Sequence, residues 1–151
     1  MNVMDRLAEL KLKLPPIPKP AAAYIPVTRV GSLVYTAGQV AIVEGSIKYP
    51  GRVGKEVTLE EAYEAATLCA LNCLAALAGE IGDLNRVKKL VRVGVFVSSA
   101  PDFYQQPQVA NGASELFLKV FGEKGAHVRT AVGVAALPMN SPVEVEMIVE
   151  V

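Results

Sequence analysis

The chain has 151 residues, the size of one domain, and at this length folding can remove about 70% of the unfolded surface from water. Hydrophobic residues make up 52% and charged ones 20%, which excludes the sparsely apolar, highly charged composition of disordered proteins. Lys and Arg number 15 and Asp and Glu number 15, so no net positive field draws a phosphate backbone and nucleic acid is disfavoured as a main partner.

The opening MNVMDRLAEL contains Asp5 and no apolar core segment, so it does not read as a secretory signal. Residues 3–12 read as a short amphipathic helix with Val3, Leu7 and Leu10 on one side, after which PPIPKP stiffens the chain. Residues 1–20 are therefore expected to form a helix and an extended arm lying on a domain at 21–151. Ile25–Val30 and Leu33–Thr36 flank Gly31-Ser32 and predict a hairpin. Gly38–Val57 is glycine-rich and predicts a long loop with a small strand around Val40–Val43. Its GRVGKE is no phosphate loop, because Tyr49 and Glu56 stand where glycine and a hydroxyl residue are needed.

Thr58 and Glu61 make a capping box that opens a helix from Leu59 to about Ile81, with Gly82 beyond its end. Its apolar middle, Ala65–Ala78, predicts burial on most sides; it is too short to cross a bilayer and contains Asn72, so a cytoplasmic protein is expected. Cys69 and Cys73 sit one turn apart on this helix and His127 is the sole histidine, so they read as two small buried thiols rather than a metal site. Val87–Ser98 predicts a strand with Val91, Val93, Val95 and Val97 on one face against Arg92, Gly94 and Phe96 on the other. Pro107 opens a second helix, in which Val109, Ala113, Leu116, Phe117, Val120 and Phe121 recur until Gly122. Val128–Ala136 and Pro142–Val151 are the last strands. The order ββαβαββ predicts an α+β sandwich, one mixed sheet with two helices on one face.

In the last strand Val143, Val145, Met147, Val149 and Val151 share the core face, leaving Glu144, Glu146, Ile148 and Glu150 on the open one. In the strand before it Val132 and Val134 are assigned to the core. Arg129, Ala131, Gly133 and Ala135 then fall on the open face, a floor of small residues that predicts close approach by a subunit or ligand. An arginine at the rim of such a floor is a fork for a carboxylate or phosphate; the alternative is a simple pair with a surface glutamate.

Several stretches together resemble the RidA family, also called YjgF or the reactive intermediate deaminase family. They are Y-x6-G-x-L-x-Y-T-A-G-Q from Tyr24 to Gln39, TLEEA, VFVSSAPDF at 95–103, VANGASELF at 109–117 and R-T-A-V-G-V-A-A-L-P-x4-VEVE from Arg129 to Glu146. The resemblance covers roughly residues 20–151 and implies a chorismate mutase-like fold. It further implies a homotrimer with open sheet faces turned inward and a pocket at each subunit interface. The implied activity is hydrolysis of reactive enamine and imine acids, such as 2-aminoacrylate and 2-iminobutanoate, to 2-oxo acids and ammonia, with no metal or organic cofactor.

Carried over by position, the resemblance makes Arg129 the holder of the substrate carboxylate and Glu144 the residue that positions water. It makes Tyr24, Asn111 and Ala131 pocket positions and Gly38 a backbone contact. Ala131 stands where the deaminase branch has cysteine and Ala37 where it has serine, so a non-catalytic trimeric binding protein for small carboxylates is the alternative. A ribonuclease or translation inhibitor, a label some members carry, is disfavoured by zero net charge, a single histidine and the lack of an aromatic-basic platform. His127 reads as a loop histidine without a role, near the pocket entrance, and Tyr35, Tyr49 and Tyr104 as packing or rim residues.

Overall fold

The computed structural model describes residues 2–19 and 23–151. Its elements are α1 (Val3–Glu9), β1 (Val27–Val30), β2 (Leu33–Thr36), β3 (Gln39–Val40), β4 (Ile42–Val43), β5 (Ser46–Ile47), α2 (Leu59–Ile81), β6 (Lys89–Ser98), α3 (Gln106–Phe121), β7 (Val128–Val134) and β8 (Val143–Glu150). The main sheet runs β1-β2-β8-β6-β7, with β3 also paired to β8, while β4 and β5 make a separate ribbon. Only β6 and β7 pair in parallel; the other neighbours are antiparallel. This is the expected α+β sandwich with a mixed sheet, its ββαβαββ order extended by α1 and three short strands.

α2 begins where Thr58 Oγ1 accepts from the Glu61 amide (3.1 Å) and Glu61 Oε1 accepts from the Thr58 amide (3.0 Å). These bonds satisfy two amide donors that have no partner inside the helix. The helix is 23 residues long, which by length and composition would suffice to cross a membrane, more than the Ala65–Ala78 stretch suggested; 67% of its apolar window is buried inside the fold. Asn72, in that stretch, donates through Nδ2 to Val40 O (3.0 Å) and Ile42 O (3.1 Å), tying the β3–β4 segment down. Cys69 and Cys73 are buried and donate through Sγ to the β8 carbonyls of Val143 (3.3 Å) and Val145 (3.2 Å). Burial pushes both thiols up, that of Cys73 to about 12, so neither supplies a thiolate.

α3 crosses α2 at Gly112, where an added Cβ would lie 2.1 Å from Tyr63 O. α1 is shorter than the 3–12 expected because Lys11 adopts a positive φ of 58°. It is held by the Val3 amide on Asn85 Oδ1 (3.0 Å) and by Arg6 Nη1 on Val120 O (3.0 Å). The boundary expected at residues 20 and 21 lies outside the described residues. GRVGKE forms turns: Gly51 and Gly54 have φ of 129° and 91°, and Glu56 Oε2 accepts from the Arg52 amide (3.0 Å).

Two face assignments differ from those read along the strands. A register shift between Leu90 and Arg92 brings Leu90 into the core with Val93, Val95 and Val97, leaving Val91 half-buried. More consequentially, β7 is turned over. Its parallel register sets Arg129 beside Val93, Ala131 beside Val95 and Gly133 beside Val97, all on the helix-covered face. Val128 and Val132, 67% and 39% exposed, lie on the open face instead. The small residues make room for the chain's own α3 and its approach loop, since a Cβ on Gly133 would come within 2.8 Å of Gln106 Nε2 and 3.1 Å of Ser99 Oγ. β8 matches its expected alternation at every position from Val143 to Glu150.

Candidate functional site

The candidate residues fall into two groups on opposite faces of the sheet. The first lies where β7, the sheet edge, meets α3. Asn111, Ser114 and Leu118 recur at helical spacing along α3 and look onto the start of β7. Arg129 Nη1 donates to Asn111 Oδ1 (2.8 Å) and to Ser114 Oγ (3.2 Å), and Nη2 donates to Pro107 O (3.4 Å). Both Nη1 protons are thus engaged. Nε and one Nη2 proton keep no partner among the described residues, and these two N–H groups form the side-on fork that matches a carboxylate.

His127 completes this group. A carbonyl only accepts, so the 2.6 Å contact to Gly125 O requires a proton on Nδ1; Nε2 is then the acceptor for the Ser114 hydroxyl at 2.9 Å. Burial, and next the charge of Arg129, push the imidazole below its ordinary value, against the opposing effect of the Gly125 hydrogen bond. The ring stands edge-on to Phe117 at 6.2 Å between centroids. An open depression of about 310 Å³ is lined by Ser114, Leu118, Ala126, His127 and Arg129.

The second group lies on the open face. Glu144 on β8 stands between Val40 of β3 and Phe96 of β6. Gly38 lies directly against it: a Cβ there would be 2.8 Å from Glu144 Cδ and 2.9 Å from Oε2. Burial raises the Glu144 carboxyl above its ordinary value, and repulsion from Glu146 adds to this. Glu146 itself sits near Arg92 Nη1 at 3.6 Å, an exposed pair of small energetic weight.

Arg129 and Asn111 are therefore brought together, as are Gly38 and Glu144. Ala131 lies two residues beyond Arg129 on the same face and packs partly against the core. Tyr24 is 56% exposed ahead of β1 and hydrogen-bonds to none of the other candidates among the described residues. Ala37 donates its amide to Pro26 O (2.8 Å). Sequence reading missed Ser114 and assigned His127 no role; the visible signal was the three-residue spacing of Asn111 and Ser114, which shares one helical face.

A mixed sheet with its helices on one face is the architecture of the chorismate mutase-like α+β class. The chain matches the YjgF/chorismate mutase-like endoribonuclease family over residues 4–151 and belongs to it. It is 41% identical over 150 residues to protein TCP17 of Trypanosoma cruzi, spanning 99% of this chain and 94% of that one. It is 28% identical over 138 residues to a 2-iminobutanoate/2-iminopropanoate deaminase of Dermatophagoides farinae, spanning 91% and 93%. Protein Atu1372 of Agrobacterium tumefaciens, a solved structure of unknown function, superposes with a TM-score of 0.94 at 42% identity, covering 99% of this chain and 92% of that one.

Proposed function

We propose that the protein hydrolyses small 2-imino acids to 2-oxo acids and ammonia, in a site that Arg129 of one copy and Glu144 of a neighbouring copy build together. The observation that carries this reading is the free side-on fork of Arg129, aimed by α3 while both Nη1 protons are engaged. Within one chain Arg129 and Glu144 lie on opposite faces of the sheet. A ligand held by one and attacked from the other therefore needs two copies, and a ring of three supplies three equivalent sites. Support for the assembly comes from the open face, where Val30, Tyr35, Val128 and Val132 are exposed apolar side chains.

In this reading the fork fixes the substrate carboxylate. An imine carbon is already electrophilic, so orienting it beside a held water supplies much of the catalysis. Glu144, whose raised carboxyl makes it a stronger base, accepts a proton from that water as it adds to the carbon of the protonated imine. It then returns that proton to the amine nitrogen, the carbon–nitrogen bond breaks as the new hydroxyl becomes the carbonyl, and ammonia leaves. The 28% identical deaminase supports the chemistry. A carboxylate-binding role without turnover is the second reading, favoured by Ala131 and Ala37 at pocket positions.

The test couples the protein to a threonine dehydratase and follows 2-oxobutanoate release with Arg129→Ala and Glu144→Gln, each inactive and each assembled. Co-refolding the two variants should restore about a quarter of wild-type activity, because every mixed trimer regains one intact site. No acceleration by the wild type would leave binding alone. No recovery in the mixture would overturn the shared site.

A further inference from the structure

We infer that Ser114 and His127 are positioning residues for Arg129, a relay that aims the carboxylate fork from behind; it deepens the reading above and rests on it only for its effect on ligand. A long arginine side chain on an edge strand loses substantial rotamer freedom when fixed, so something must hold it. Asn111 holds one Nη1 proton, and its amide oxygen can only accept. The other is held by Ser114 Oγ, an atom free to rotate and to donate as readily as accept.

His127 removes that freedom. Its Nε2 takes the Ser114 proton at 2.9 Å, which turns the hydroxyl lone pairs toward Arg129, and its Nδ1–H is anchored on Gly125 O at 2.6 Å. Gly125 is itself pressed onto α3, since a Cβ there would lie 2.5 Å from Phe117 O. The donors therefore point one way, from Arg129 to Ser114 to His127 to the Gly125 carbonyl, and such chains polarise one another. His127 holds this role only as the neutral ring carrying its proton on Nδ1. Neither Ser114 nor His127 needs to touch the ligand.

The relay is tested by nitrogen-15 NMR on the intact protein, where the single histidine gives one unambiguous pair of ring signals. The expected result is protonated Nδ1 with acceptor Nε2 and slowed rotation of the Arg129 Nη groups. Ser114→Ala and His127→Phe should release that rotation and weaken 2-oxobutanoate affinity about five- to tenfold, the effect of one lost hydrogen bond. Ser114→Thr should restore both, and all variants should keep the wild-type Tm within a few degrees. The opposite tautomer, or unchanged Nη rotation and affinity in Ser114→Ala, would overturn the relay. Slow rotation released by Ser114→Ala in a protein that binds no 2-oxo acid would overturn the proposed function and leave the relay standing.

Discussion

Gly38→Ala adds one methyl group and removes no functional atom, yet it should cut turnover about a hundredfold. The new Cβ would sit 2.8 Å from Glu144 Cδ, 2.9 Å from Oε2 and 3.1 Å from Cγ. Non-bonded carbons rest at about 3.5–4.0 Å, so the carboxyl group must retreat by roughly 1 Å. Gly38 does not have a left-handed φ, so alanine adopts its backbone without strain. The Glu144 tail is flexible and half-buried, and its retreat should change stability by less than about 1 kcal/mol. A misplacement of about 1 Å at a reacting group can lower the rate about 10²-fold, or about 2.7 kcal/mol in barrier. The measurement is the coupled 2-oxobutanoate assay beside a thermal melt, with Gly38→Ala, Glu144→Gln and the double variant. The double variant should lose no more than Glu144→Gln alone, because both changes act through one carboxylate. A wild-type rate in Gly38→Ala with an unchanged melt would show that the position of Glu144 does not set the rate.

Gly112→Ala should be among the most damaging single changes, costing about 3 kcal/mol or more in denaturant unfolding, because its Cβ would meet the Tyr63 backbone carbonyl at 2.1 Å where neither helix can yield. Thr58→Ala removes half of the capping box and should cost about 1 kcal/mol in the same measurement without altering turnover. Glu144→Gln should raise Tm near neutral pH. Folding raises this carboxyl, so below its unfolded value near 4.5 both states are protonated and it contributes nothing, whereas above its folded value the penalised charge is fully present. The gain in Tm should therefore shrink as pH falls towards 4.5, and a gain that instead grows on acidification would refute the assignment.

Much of the fold was legible along the chain because its signals are local. The capping box and Gly82 bound α2 from Leu59 to Ile81, and the apolar residues of α3 repeat at helical spacing. The site was legible only in pieces. Arg129 stands out through its small-residue floor, whereas Asn111, Gly38 and the role of Glu144 come only through resemblance; the Arg129–Asn111 bond crosses 18 residues and the Gly38–Glu144 contact over a hundred. Ser114 and His127 carried no chemical pattern until a turn brought α3 back against β7.

By itself the sequence determined which residues of β7 and of β8 share a face, since strand parity follows from backbone geometry, whereas in β6 the register shift between Leu90 and Arg92 broke that parity. It also determined which face of β8 is the core, because five apolar side chains on one side oppose three carboxylates on the other. For β7 it could not choose. Small residues on one side and valines on the other read naturally as an open floor and a core. Only the parallel register with β6, and the need for α3 to lie close, reversed them. That reversal separates Arg129 from Glu144 across the thickness of the sheet, and so sets the number of chains a site using both requires.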